Sequence, residues 1–356
     1  MSSRIKYDSA QAASWLEMLQ TTKKGASDLI GVSRPRFDKI LEQGASDTEA
    51  LAMKFVEREH LQAARLASQM SPMTAVKLAF ENIESIYRKE EGTTDHDTGI
   101  ELGDEGRLVL PSPGLVVVTG PPSSGKSSLL RQLVSQKPMA SQLAYLCLEQ
   151  PMTEAVIKLM CQVARIHSSH IKTARLSEND WARLIKAAGD LSEANVSMIG
   201  QTWALDDIIE HVHALHATRG LDAFVLDGLG LVEVHDARSR SEELARVVRK
   251  LKKLAYELGI LVVTSAHTQS QTARHKRPSL ADIEQAPGPL HYADTILALH
   301  REELFDPNSE LRGIAELHTL KHPDGQLRTT PLRFFPQYGR FEPLSEKDRQ
   351  DAFSFL

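Results

Sequence analysis

The stretch that most constrains this chain is Gly120-Pro121-Pro122-Ser123-Ser124-Gly125-Lys126-Ser127. Before it runs Leu115-Val116-Val117-Val118-Thr119, apolar and β-branched as in a buried strand. After it, Ser128 to Val134 carries apolar residues at helical spacing. The pattern G-x-x-x-x-G-K-[ST] recurs by chance, and this strand–loop–helix context is what gives it meaning. Backbone N–H groups of such a loop, together with the helix N-terminus, face an anion. A β-branched side chain at Gly120 or Gly125 is expected to block the phosphate's approach. Lys126 is then placed to reach the β- and γ-phosphates and the Ser127 hydroxyl to ligate Mg²⁺. Gly120, Ser123, Ser124, Gly125, Lys126, Ser127 and Ser128 are the expected nucleotide contacts, with ATP and Mg²⁺ as cofactors. The competing reading is an ordinary strand-to-helix turn that happens to hold Lys and Ser; the flanking pattern favours the nucleotide.

A chain of 356 residues exceeds one average domain. Its 41% hydrophobic and 25% charged residues supply ample core. The net charge of −5 gives no global basic signal, so any nucleic-acid contact must come from local patches. The two cysteines, Cys147 and Cys161, build neither a disulfide framework nor a metal spacing, which fits a reducing cytosol. The first residues lack the apolar centre of a signal peptide, and no apolar run is long enough for a bilayer. A cytoplasmic protein without a membrane partner is expected.

Residues 8–70 read as helical. Within them, Gly25 to Leu41 has a small residue at Ser27, a turn glycine at Gly31, and buried-type Ile30, Val32, Phe37 and Ile40. This resembles a helix-turn-helix, with Ser33 capping the second helix and Arg34, Arg36 and Lys39 pointing outward, the first two as DNA-binding candidates. A small helical hairpin with a solvated basic face fits the same residues. Residues 74–89 place Val76, Phe80, Ile83 and Tyr87 on one helical stripe that needs a partner surface. The acidic, glycine-punctuated stretch 90–99 reads as a flexible linker. The expected organisation is a helical N-terminal domain over 1–73, a linker over 74–97, and an ATPase domain over 98–356.

From Leu115 onward strands and helices alternate, with strands expected at 115–119, 143–148, 196–200, 223–227, 260–265, 295–300, 314–320 and 331–335. Near-continuous apolar runs suit a sheet covered on both faces. The last three strands follow one another through short loops, so an antiparallel edge is expected there. The class is α/β with a mainly parallel sheet, and ligands belong at the carboxyl ends of its strands.

Three polar residues close such runs. Phe224-Val225-Leu226-Asp227 has the form of a Walker B segment, whose carboxylate would sit beside Ser127 and hold Mg²⁺. Glu149 ends the run Leu143–Leu148 just before Pro151, which opens a helix. It can complement that helix N-terminus, or act as the base for the attacking water from a neighbouring strand end; the second reading is favoured. His267 closes Ile260–Ser265 and reads equally as a γ-phosphate contact or a solvated cap.

Residues 98–345 resemble the RecA-like ATPase domain of DnaB-type replicative helicases. Leu148-Glu149-Gln150-Pro151 is similar to that family's S-L-E-M-P segment, and Ile171 to Trp181 to its R-T-G-x-L-x-x-x-D-W segment. Asp294-Thr295-Ile296-Leu297 and Leu311 to Leu317 resemble its late strands. The resemblance implies a RecA-like P-loop core behind a small all-α N-terminal domain. It also implies a homohexameric ring around single-stranded DNA, with ATP between subunits and the helix at 74–89 docked on the neighbour. Lys126, Ser127, Glu149 and Asp227 would bind and hydrolyse the nucleotide, and His267 becomes a γ-phosphate sensor. A loader, primase or other replication protein would meet the N-terminal domain.

Two departures bear on activity. The family's DNA-contact loop, D-L-R-x-S-G, is Asp282-Ile283-Glu284-Gln285-Ala286-Pro287-Gly288 here, leaving Gln285 and Gly288 as candidates and a carboxylate where a phosphate-facing Arg is usual. Arg238 and Arg240, in the expected loop after Asp227, are further candidates, weighted above the charge-rich helix that follows. The trans-acting K-x-R segment is Lys321-His322-Pro323, so the lysine survives and the arginine finger does not. Such a finger carries several orders of magnitude in rate. The expected function is an ATP-driven helicase on single-stranded DNA. The rival is a non-unwinding accessory ATPase with weak hydrolysis; a RecA- or RadA-like recombinase is disfavoured by the L-E-x-P and D-W segments.

Overall fold

The computed structural model describes residues 8–19, 22–30, 32–46, 49–50, 52–54, 56, 73, 76–77, 79–80, 96–103, 106–136, 142–200, 202–235, 237–267, 277–279, 292–325, 327–345 and 348. The chain divides into two compact units, Met1–Gly92 and Thr93–Leu356.

The first unit holds helices α1 (Ser9–Met18), α2 (Lys23–Leu29) and α3 (Arg34–Gln43). Asp8 opens α1 with a capping box, its carboxylate accepting from Gln11 N at 2.8 Å and its own N–H donating to Gln11 Oε1 at 3.1 Å. Trp15, Ala26, Phe37, Ile40 and Met53 form the core, and Trp15 Nε1 donates to the Met53 carbonyl at 3.0 Å. Helices α2 and α3 fall on the 25–41 stretch, which the helix-turn-helix and the helical-hairpin readings fit alike. Ser33 is the N-cap of α3 by position, but its hydroxyl makes no capping hydrogen bond. Arg34 is exposed. Arg36 is exposed too but not free, since Glu49 takes its fork at 2.6 and 2.9 Å. Val76 and Phe80 lie in helical residues with exposed side chains. Gly31, Ile83, Tyr87 and residues 90–95 lie outside the described residues.

The second unit is built on a nine-stranded sheet in the order β11-β10-β9-β8-β3-β7-β6-β4-β5. Its strands are β3 (Gly114–Gly120), β4 (Leu143–Cys147), β5 (Val196–Met198), β6 (Ala223–Asp227), β7 (Leu261–His267), β8 (Thr295–His300), β9 (Ile314–Lys321), β10 (Arg328–Phe335) and β11 (Arg340–Pro343). The five pairings among β3 to β8 are parallel. The three from β8 out to β11 are antiparallel, giving the expected edge. Helices α4 (Lys126–Ser135), α5 (Met152–Ala164), α6 (Ser168–Lys172), α7 (Glu178–Ser192), α8 (Leu205–Arg219) and α9 (Arg240–Leu258) connect the parallel strands.

Alternation along β3 shows why both faces are covered. Val116 and Val118 join a core with Leu129, Leu130 and Leu133 of α4, whereas Leu115 and Val117 join one with Ile208 of α8 and Leu251 of α9. Each fully buried Val or Leu contributes about 1.5–3 kcal/mol, so the strand cannot be a surface turn.

A separate hairpin, β1 (His96–Glu101) with β2 (Arg107–Leu110), was not expected. It takes up 96–99, the end of the stretch read as linker. The reason is a period-two pattern hidden among acids and glycines: Ile100, Leu102, Leu108 and Leu110 are buried in the first core, and Thr98 Oγ1 donates to Leu108 O at 2.7 Å. β10 begins three residues before its expected start, and β11 was missed.

Candidate nucleotide site

Four strands deliver polar groups to one edge of the sheet. Register pairs Gly120 of β3 with His267 of β7, and Cys147 of β4 with Asp227 of β6. Glu149 follows β4 by two residues. The expectation that Glu149 comes from a strand next to the phosphate loop is corrected, because β7 and β6 lie between β3 and β4. Glu149 spans that gap with its side chain.

Lys126 is 5% exposed and donates to the carbonyls of Gly120 at 3.0 Å and Pro121 at 2.9 Å. Burial pulls its pKa down to about 8, opposed by the charges of Glu149 and Asp227. Ser127 Oγ lies 3.1 Å from Asp227 Oδ1 and 3.4 Å from Glu149 Oε2. One hydroxyl proton serves one acceptor at a time, so two acidic oxygens around one hydroxyl suit a divalent cation. Asp227 is wholly buried, and desolvation raises its pKa; Glu149 adds to the rise while hydrogen bonds from Ser265 and Ser127 oppose it. A raised carboxylate of this kind gains from an added cation. His267 Nε2 sits 3.2 Å from Glu149 Oε1. Helix α4 opens on Gly125 in the left-handed region with no side-chain cap, leaving its first-turn N–H groups without a side-chain acceptor. These residues fit a nucleotide with Mg²⁺: Lys126 and the helix N-terminus for phosphates, Ser127 and Asp227 for the metal. A bound Mg²⁺ would supply charge neutralisation at the phosphates. Among the described residues no group of three His, Cys, Asp or Glu could hold a metal alone.

The packing adds a reason for the glycines beside the expected one. A Cβ at Gly120 would fall 2.6 Å from Leu299 O and 2.8 Å from Ser124 Oγ; one at Gly125 would fall 2.7 Å from the Phe341 ring. Both also have positive φ, +147° and +107°. Protein behind the loop, before any phosphate, excludes the side chain. Ser123 is exposed, Ser124 Oγ is buried without a hydrogen bond, and Ser128 Oγ accepts from Arg131 Nη2 at 3.3 Å.

Two contributors escaped the sequence. Ser265 Oγ donates to Asp227 Oδ1 at 2.7 Å and accepts from Gly228 N at 2.8 Å, fixing the carboxylate. Its only signal was a polar pair, Thr264-Ser265, inside an apolar run. Arg301, next after β8, donates to the Ser123 carbonyl at 2.9 Å.

The remaining candidates are not gathered here. Lys321 ends β9 level with Ile296, at the start of β8, and donates to Ala293 O at 2.6 Å. Burial and nearby Lys252 lower its pKa. Arg240 is not in a loop: it opens α9 behind the N-cap Ser239, with its guanidinium on Glu243 and the Gly230 carbonyl. Arg238 lies just before that cap. Arg246, Lys250, Lys252 and Lys253 are paired with Glu242, Asp206, Asp294 and Glu257. Gln285 and Gly288 lie outside the described residues.

This chain is similar to several known proteins. The replicative DNA helicase DnaB of Geobacillus stearothermophilus is 27% identical over 277 residues, covering 75% of this chain and 61% of that protein. DnaB of Haemophilus influenzae is 27% identical over 322 residues, covering 86% and 67%. This chain therefore spans about three-fifths to two-thirds of the length of these relatives. Among solved structures, one ATPase domain superposes with a TM-score of 0.67 at 26% identity, over 78% of this chain and all of that one. A DnaB-like replicative helicase, solved for its interactions with primase, superposes at 0.65 with 21% identity over 94% of this chain and 91% of that one, a likeness of fold. Residues 104–343 match the DnaB-like helicase C terminal domain family, and on that match this chain belongs to it.

Proposed function

We propose that this protein is a ring-forming ATPase that acts on single-stranded DNA and unwinds duplex DNA as replicative helicases do. The observation that carries the reading is the Ser127 hydroxyl set between Asp227 and Glu149, beside a buried Lys126. Lys126 and the loop amides bind the triphosphate, Ser127 and Asp227 hold Mg²⁺, and Glu149 takes a proton from the attacking water. His267, hydrogen-bonded to Glu149, reports the loss of the γ-phosphate. Lys321, far from its own chain's loop, acts on a neighbouring copy. Arg238, with the segment holding Gln285 and Gly288, meets the DNA. The N-terminal unit, through residue 73, recruits DNA by Arg34 or a replication partner such as a primase or loader, and the linker over 74–97 separates it from the ATPase domain. The protein works in the cytoplasm.

Pro323 favours a second reading, an accessory ATPase that binds nucleotide and DNA but hydrolyses slowly and does not unwind. A strand-displacement assay run beside an ATPase assay decides between them. Displacement that depends on ATP supports the helicase; turnover without displacement supports the accessory protein. Deleting residues 1–73 should leave ATPase activity in place, and a truncated chain that cannot fold would move the boundary.

A further inference from the structure

Arg301 is 8% exposed, and an arginine is seldom taken this far from water unless its fork is matched. Here it is. Nη1 donates to the Ser123 carbonyl at 2.9 Å, Nε donates to Glu303 Oε1 at 3.0 Å, and Nη2 reaches the same oxygen. The guanidinium carbon lies 4.4 Å from the centroid of the Phe334 ring. The other oxygen of Glu303 accepts from Gly313 N at 3.0 Å, one residue before β9.

At the other end of this chain of bonds is the middle of the phosphate loop. Ser123 has φ +65°, a left-handed conformation that a residue with a Cβ adopts only when its surroundings impose it. The peptide between Ser123 and Ser124 is tied on both sides, its carbonyl to Arg301 and its N–H to Pro121 O at 3.2 Å. Beneath the loop, Phe334 and Phe341 pack with ring centroids 4.6 Å apart and fill the space under Gly125. An apolar floor can support a loop but cannot set the direction of a carbonyl. Arg301 sets it.

We propose that Arg301 is a positioning residue for the phosphate loop: it holds Ser123 in its left-handed turn, and so keeps the loop shaped for phosphates without touching the nucleotide. This rests on the nucleotide-binding reading above. A residue that acts through the loop serves the phosphates and is indifferent to the base.

The test is calorimetric titration of the full chain, below its melting temperature, with Mg²⁺ and ATP, CTP or inorganic tripolyphosphate. Arg301→Gln is expected to weaken all ligands that the native chain binds by a common factor of about tenfold, as loss of one charge-assisted hydrogen bond does. Adding Ser123→Gly to that variant should recover part of the loss, because glycine takes a positive φ unaided. Should Arg301→Gln fail to fold, Arg301→Lys, which keeps a charge and a donor, carries the same comparison with a smaller loss. A loss for one base but not for tripolyphosphate would overturn the proposal in favour of a base contact. A lower melting temperature with unchanged affinities would overturn it in favour of a structural arginine. If the native chain binds none of the three, the nucleotide reading itself fails; native binding that Arg301→Gln leaves intact sinks only this inference.

Discussion

At the carboxyl ends of β3, β4, β6 and β7, Lys126, Ser127, Glu149, Asp227, Ser265 and His267 each lie within 3.4 Å of a polar partner from another part of the site. The hairpin joining β9 to β10 is built differently. It turns through His322-Pro323-Asp324-Gly325, closed by Gly325 N on His322 O at 3.0 Å, and its lysine is folded back on Ala293 O. Of the arginines that follow, Arg333 is held by Asp348 at 2.7 Å and Arg328 pairs in register with Thr319. The first region gathers its polar groups around Ser127 within one chain. The second holds Pro323 where the resemblance places an arginine finger, and proline has no side-chain donor. If the proposed function holds, nucleotide binding and fast turnover should be separable by substitution in these two regions.

The sharpest way to break that contrast is at its strong end. Lys126→Ala should abolish nucleotide binding and turnover, a loss of about 2–5 kcal/mol or more for a buried charge contact. The fold should survive, because burial already disfavours the charged lysine. Turnover retained in a well-purified variant would remove the site from consideration.

Glu149→Gln should keep nucleotide affinity and cut turnover by about 10²–10⁴-fold, since it removes a base and preserves shape. Weaker binding with normal turnover per bound nucleotide would make Glu149 a cap for α5 instead.

Pro323→Arg addresses the weak end. With single-stranded DNA present it should raise turnover by about tenfold, a fraction of the 10³–10⁵ that a well-placed finger supplies. Arg328→Ala should change little. Fast native turnover that collapses in Arg328→Ala would name Arg328 as the substitute finger.

A further effect is on pH. The Lys126 pKa of about 8 lies below that of an unfolded lysine, so between about 8 and 10.4 the unfolded chain binds more protons. Stability should rise with pH across that window. Affinity for a non-hydrolysable ATP analogue should fall over the same range, by at most about tenfold per unit, as the ammonium is lost. The stability slope should flatten in Lys126→Ala, and its persistence would assign the titration elsewhere.

Much of this was legible because it is local. The phosphate loop, the acid closing β6 and the antiparallel edge each follow from a few adjacent residues and their period. The β1–β2 hairpin was obscured because its alternation is diluted by acids and glycines, and β11 because Phe341 is fixed by Gln132, whose side chain bonds its N–H and C=O at 2.8 and 2.9 Å. Arg36 and Arg240 looked like free cations because nothing in the order of residues announces Glu49 or the Gly230 carbonyl.

The sequence by itself determined that a strand, a glycine loop and a helix come together around Lys126, because strand period, glycine permissiveness and helix periodicity act over a few residues. Only the tertiary structure decided that Glu149 reaches Ser127 across two intervening strands, that Ser265 fixes Asp227, and that Arg301 holds Ser123 across 178 positions of chain. The physical reason is that a buried polar group must find a partner wherever the packed sheet presents one, and strand order rather than chain order sets which groups are presented.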